Sequence, residues 1–69
     1  MDPILKKYFE DMDETILEIS KAKEALVQGC LNSCTGAEFE ALGYKLLEAT
    51  NNLGDLYDTI HFHVFMESN

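Results

Sequence analysis

The chain has 69 residues, of which thirteen are acidic and five are lysine or arginine, and its formal net charge is −8. A chain of this length predicts one domain, residues 1–69, with a core too small to be very stable alone. The negative charge argues against binding to nucleic acid or to anionic membranes, because both are bound through Lys and Arg. It fits a basic protein partner or a simple solvated surface.

The first predicted element is a helix over about residues 3–28. Asp2 is a favoured N-cap residue, and Pro3 suits the first helical position because the N–H that proline lacks has no partner there. Gly29 is the expected C-terminal stop, since glycine commonly ends helices. A loop over about residues 29–35 should follow.

The second predicted element is a helix over about residues 36–63. Thr35-Gly36-Ala37-Glu38 has the pattern of a capping box, in which Thr35 accepts a hydrogen bond from the Glu38 N–H and the Glu38 carboxylate reaches back. Asn51, Asn52 and Gly54 lower the helix propensity, but the apolar pattern continues through them.

Apolar residues recur at alternating spacings of four and three along both helices, which is typical of helices that pack lengthwise. On the first helix the series is Leu5, Phe9, Met12, Ile16, Ile19, Lys23, Leu26, Cys30, and on the second it is Phe39, Leu42, Leu46, Ala49, Leu53, Leu56, Ile60, His63. Only Lys23 and His63 break the apolar character of these series. The short loop makes the helices antiparallel. We therefore predict an all-α, coiled-coil-like antiparallel hairpin of two helices, completed by dimerisation or by a partner.

A second set of residues flanks these series and is rich in small side chains with a few aromatic ones. We interpret it as a partner-binding face, formed by Tyr8, Thr15, Ala22, Gly43, Leu47, Thr50, Gly54, Tyr57 and His61. Small residues let another helix approach closely, and an exposed apolar groove usually marks a partner site. The alternative is that the glycines are merely tolerated and the tyrosines cover the hairpin's own core.

Residues with catalytic or metal-binding chemistry are few. Cys30 and Cys34 could form a Cys2His2 zinc site with His61 and His63, but about 25 residues of helix, or about 37 Å, separate the two pairs. The cysteines are expected to be thiols, with a Cys30–Cys34 disulfide as the alternative. The acidic residues Glu10, Asp11, Asp13 and Glu14 lack the spacing of a calcium loop. No metal, no cofactor and no enzymatic activity are predicted.

The arrangement resembles that of the small helical-hairpin co-chaperones of type III secretion needle subunits. The likeness lies in Gln28-Gly29-Cys30, then Ala37-Glu38-Phe39-Glu40-Ala41-Leu42, then Leu46-Leu47-Glu48-Ala49. The resemblance implies a protein that pairs with a helical-repeat co-chaperone and holds the amphipathic C-terminal helix of a needle subunit in a groove. The subunit would thereby stay monomeric in the cytoplasm, in a system used for virulence.

Two other functions remain open at this stage. One is a small acidic inhibitor of phage or plasmid type, which would use Glu10, Asp11, Glu14 and Glu18 to mimic nucleic acid. The other is a plain homodimeric four-helix bundle. The absence of a signal-peptide pattern and of an apolar stretch of about 18 residues predicts a cytoplasmic location.

Overall fold

The computed structural model describes residues 2–68, with side chains described for residues 2–67. Within that range the chain forms two helices, α1 (Pro3–Leu31) and α2 (Gly36–Ser68), and no strand. The predicted all-α helical hairpin is confirmed. Neither helix holds a segment that is both long and apolar enough to cross a membrane.

Both predicted N-terminal caps are present. The Ile4 N–H donates to Asp2 Oδ1 at 2.9 Å, and Pro3 occupies the first turn of α1. At the start of α2, the Glu38 N–H donates to Thr35 Oγ1 at 3.2 Å, and the Thr35 hydroxyl donates to Glu38 Oε1 at the same distance. The bonds from the Ile4 and Glu38 N–H groups satisfy backbone donors that have no partner inside the helix, whereas the Glu38 carboxylate reaches back to the Thr35 hydroxyl.

The end of α1 differs from the prediction, because Gly29 lies inside the helix and Leu31 ends it. The turn is made instead at Ser33, the one described non-glycine residue with a positive φ, 58°. The Cys34 N–H then donates to the Gly29 carbonyl at 3.0 Å. Helix α2 also continues past the predicted end at residue 63, as far as Ser68, and Asn69 lies outside the described residues.

Two contacts fix the antiparallel register of the helices. Tyr8 packs edge-on against His63 with ring centroids 5.9 Å apart. At the loop end, a Cβ on Gly29 would lie 2.7 Å from Leu42 Cδ1, so the two helices approach closely there. Tyr8 and Gly29 are three heptads apart on α1, and Leu42 and His63 are three heptads apart on α2. The register is therefore constant along the hairpin.

The side chains through which the two helices pack form one line, which we call the seam. On α2 the seam follows the predicted series, except that Phe39 is 49% exposed. Its buried or half-buried members are Leu42, Leu46, Ala49, Leu53, Leu56, Ile60 and His63. Phe39 lies in the first turn of α2.

On α1 the seam differs from the prediction at every second position. Its half-buried members are Leu5, Tyr8, Met12, Thr15, Ile19, Ala22, Leu26 and Gly29. The predicted members Phe9, Ile16, Lys23 and Cys30 are exposed. The apolar arc of α1 is wider than one seam. The helix turns Tyr8 and the small residues Thr15, Ala22 and Gly29 toward α2, and the small residues permit close packing there. The large side chains of Phe9 and Ile16 remain outside.

The core of the hairpin is thin. Ala49 and Ile60 are its only buried residues in the described part of the chain, and α1 contributes none. The radius of gyration is 15.9 Å, whereas a compact domain of this length has a value of about 11 Å. The molecule is a rod with principal extents of 52 × 16 × 10 Å.

Candidate functional site

The predicted partner-facing residues of α2 form one row along the helix, exposed except for the half-buried Gly43. We call this row the α2 strip; it consists of Gly43, Leu47, Thr50, Gly54, Tyr57, His61 and Val64. Leu47 and Tyr57 are 58% and 60% exposed, respectively. A Cβ built on Gly43 or on Gly54 would meet nothing within 4 Å. The strip is therefore an open surface with two positions at which the backbone is uncovered.

The three predicted partner-facing residues of α1 lie elsewhere. Tyr8, Thr15 and Ala22 are half-buried in the seam, so their predicted position beside it is wrong. The Thr15 hydroxyl donates to the Asp11 carbonyl at 2.9 Å, which gives this seam position a satisfied polar group. These residues position α1 against α2.

The two flanks of the seam differ in polarity. One flank is a shallow groove with a volume of about 430 Å³, whose lining includes charged side chains of both helices. Its lining residues are Glu18, Lys21, Ala22, Ala25, Lys45, Glu48, Ala49 and Asn52. Since these residues of α1 and α2 line one groove, the opposite flanks of both helices must share the other side.

The other side carries the α2 strip together with exposed apolar residues of α1. Phe9 is 40% exposed and Ile16 is 49% exposed. We call the surface formed by these two residues and the α2 strip the apolar side. The sequence series had placed Phe9 and Ile16 in the seam, so their contribution to this surface emerges from the structure alone.

Three rings stack along α2 near its C-terminal end. The centroids of Tyr57 and His61 are 6.1 Å apart at an interplanar angle of 20°. His61 and Phe65 repeat the arrangement at 6.2 Å and 24°. Each ring is supported by the next one, so this end of the α2 strip presents flat, ordered aromatic surface. Such side chains are enriched at protein interfaces.

A polar cluster ties the open end of the hairpin together. His63 Nε2 donates to Asp2 Oδ2 at 2.8 Å, although the two residues are 61 positions apart. Glu67 Oε1 lies 3.7 Å from the same nitrogen. The His63 and Asp2 side chains are 19% and 25% exposed. His63, the last member of the predicted packing series of α2, thus joins the two helices at this end.

The electrostatics of Asp2 follow from these contacts. The hydrogen bond from His63 is the main reason that the pKa of Asp2 is lowered from its ordinary value, and the Ile4 N–H lowers it further. Both donors stabilise the ionised carboxylate. Asp2 therefore serves as N-cap of α1 through one oxygen and as the partner of His63 through the other.

The cysteines lie at the opposite end, beside the loop. Cys30 and Cys34 are free thiols, the first exposed and the second half-buried. Burial raises the pKa of Cys34, and the neighbouring Cys30 raises it as well. A raised pKa keeps the thiol protonated and less reactive. The structure places no histidine near the thiols, which is the separation that the sequence predicted.

Sequence reasoning missed the grouping of Asp2, His63 and Glu67. The part of this grouping that the sequence could have indicated is the pair His63 and Glu67, because their spacing puts both side chains on one face of a helix. Asp2 could not have been added from sequence, because its proximity depends on the antiparallel register.

No family model, no curated protein and no solved structure matches this chain.

Proposed function

We propose that this hairpin is a protein-binding module that holds an amphipathic helix of a basic protein partner against its apolar side. In the specific form of the proposal, the hairpin acts as a co-chaperone that keeps a type III secretion needle subunit monomeric, together with a helical-repeat partner. The general form rests on the surface described above, and the specific form rests on the sequence resemblance.

The observation that carries the proposal is the amount of surface that the hairpin leaves uncovered. The accessible area is 5288 Å², whereas a compact protein of 7.8 kDa exposes about 4,400 Å². The difference of about 900 Å² is close to the about 800 Å² that one partner buries in a stable interface of ordinary size. A helix laid along the rod would cover an area of this order.

The shape of the apolar side suits a helix. Gly43 and Gly54 leave the backbone of α2 open to close approach, since an added Cβ would meet nothing there. Leu47 and Tyr57 alternate with them along the strip and offer apolar anchors. Helix-in-groove recognition uses apolar contacts at this spacing.

Charge favours a basic partner. The net charge of −8 makes the chain as a whole negative. A negative chain associates faster with a basic partner and disfavours acidic ones.

The proposal can be tested with a labelled synthetic peptide that has the amphipathic C-terminal helix of a needle subunit. Fluorescence anisotropy would measure its binding to the hairpin, alone and with the helical-repeat co-chaperone. We expect Gly54→Leu and Tyr57→Ala to weaken binding at least tenfold, an effect of about 1.4 kcal/mol.

Tyr44→Ala is the matched control, because Tyr44 is an equally exposed tyrosine of α2, at 64%, outside the apolar side. It should leave the affinity unchanged. If the peptide fails to bind but a basic amphipathic helix of unrelated sequence binds with the same dependence on Gly54 and Tyr57, the secretion role is wrong and the binding surface stands. If binding depends on neither residue, the surface is wrong as well.

A further inference from the structure

We propose that Asp2, His63 and Glu67 form a binding site for a divalent transition-metal ion, with Zn²⁺ as the ion that fits best. The site lies at the open end of the hairpin and draws ligands from both helices. It is separate from the apolar side and does not depend on the proposed function.

The donor atoms already stand close to the geometry that zinc requires. One ligand atom from each residue lies within 4.8 Å of the other two. From His63 Nε2, the distances to Asp2 Oδ2 and Glu67 Oε1 are 2.8 and 3.7 Å. Tetrahedral ligands at about 2.0–2.1 Å from zinc are separated by about 3.3–3.4 Å from each other. For zinc to bind, the distance to Asp2 must lengthen and the distance to Glu67 must shorten, each by about half an ångström or less, with water as the fourth ligand.

The ligands are held by other contacts of the fold. Asp2 Oδ1 accepts the Ile4 N–H at 2.9 Å, which leaves Oδ2 directed at His63. The edge-on contact with Tyr8 orients the His63 ring. Hydrogen bonds and packing around the ligands are what usually fix metal-binding side chains in position. His63 and Glu67 are one turn apart on α2, a spacing that places two ligands of one helix on one face.

The donor set selects the class of ion. One imidazole nitrogen and two carboxylates suit Zn²⁺ and neighbouring first-row ions, whereas Ca²⁺ and Mg²⁺ prefer oxygen ligands only. When the ion binds, His63 presents Nε2 as a lone pair and carries its proton on Nδ1.

The consequence for the molecule is a metal clamp between its two helices. The core is thin, and in the described part of the chain Asp2 and His63 form a hydrogen bond between the helices at this end. An ion held by both helices adds its binding free energy to the stability of the folded hairpin.

Zinc titration by calorimetry tests the site directly. The chain should be tag-free and carry Cys30→Ser and Cys34→Ser, because cysteine thiols are zinc ligands and would compete for the ion. We expect one Zn²⁺ per chain, reversal by a chelator, and a higher melting temperature with zinc. Asp2→Asn and Glu67→Gln should each weaken binding by at least about tenfold. Asn at position 2 remains a good N-cap, so the helix should be retained.

His61→Ala is the matched control, since His61 is exposed and two positions from His63. Its zinc affinity should equal that of the parent chain. NMR of the histidine rings should show a zinc-dependent shift at His63 Nε2 and none at His61. The proposal is overturned if the cysteine-free chain binds no zinc, if one ion is shared by two chains, or if Asp2→Asn and Glu67→Gln leave the affinity unchanged.

Discussion

The His63 ring donates from Nε2 to Asp2 Oδ2 at 2.8 Å and so joins the first turn of α1 to the last two turns of α2. Asp2 simultaneously caps α1 by accepting the Ile4 N–H at 2.9 Å. One carboxylate thus couples a local feature, the helix start, to the tertiary contact that closes the hairpin.

This coupling predicts how stability depends on pH. The pKa of Asp2 in the folded chain lies below its ordinary 3.8, chiefly because of His63. A carboxyl group with a lowered pKa stabilises the folded state above its unfolded pKa and loses this effect as pH falls through the folded one. We expect Asp2→Asn to be less stable than the parent at pH 7, and the difference to shrink below pH 3.8. Urea unfolding at several pH values would measure it, and a difference that stays constant down to pH 2 contradicts the role given to His63.

The seam predicts where truncation destabilises the fold. Ile60 is 8% exposed and Leu47 is 58% exposed. Ile60→Ala should lower the free energy of unfolding by about 2–3 kcal/mol, toward the low end for buried aliphatic residues, because only one neighbouring helix surrounds it. Leu47→Ala should stay within about 0.5 kcal/mol. Equal losses at the two positions in chemical denaturation would mean that the assigned seam is incorrect.

Two glycines of the hairpin offer a matched comparison. Gly54→Ala should stabilise the chain by up to about 1 kcal/mol, because the helix gains propensity and the new Cβ meets open space. At Gly29 the same change places a Cβ 2.7 Å from Leu42 Cδ1, so that Leu42 must move. We expect a smaller gain or a loss there. Thermal melts of both variants decide this, and an identical gain would show that the helices do not approach closely at Gly29.

The uncovered surface predicts that the isolated hairpin is not a stable monomer at low concentration. Two helices bury only one seam, while ordering the backbone costs about 1–2 kcal/mol per residue. The melting temperature should therefore rise with protein concentration or on addition of the partner helix. Leu47→Gln should reduce self-association, and Tyr44→Gln should not. A monomer by light scattering, with a melting temperature independent of concentration, contradicts this prediction.

Charge removal separates the proposed helix-binding role from mimicry of nucleic acid. Glu10 and Glu14 are exposed on α1, and Glu18 lines the groove on the flank of the seam opposite the apolar side. Replacing all three with Gln should slow association with the basic peptide and weaken its salt dependence, with a smaller change in final affinity. Stopped-flow measurements at two salt concentrations test this. If the triple variant loses all binding while Gly54→Leu binds normally, the acidic surface is the binding site.

The residue spacing on α2 was enough to predict its seam from Leu42 to His63, because we found only one line of residues that fits as the seam of that helix. On α1 the pattern allowed two solutions. Leu5, Met12, Ile19 and Leu26 belong to both, and either Phe9 and Ile16 or Tyr8 and Thr15 could complete the line. Apolarity favoured the first pair, whereas in the fold Tyr8 packs on His63 and the small Thr15 faces α2.

The helical class, the caps at Asp2 and Thr35 and the antiparallel hairpin were determined by the sequence alone, because they depend on contacts between residues near in the chain. The tertiary structure decided the rotation of α1, the polarity of the two flanks and the grouping of Asp2 with His63 and Glu67. Each of these features depends on how the surfaces of the two helices pack against each other. If the packing face of one helix is displaced by one residue, buried side chains become exposed and exposed ones become buried. Gly29 shows the difference: as a local signal it indicated a helix end, and in the fold it makes room for Leu42.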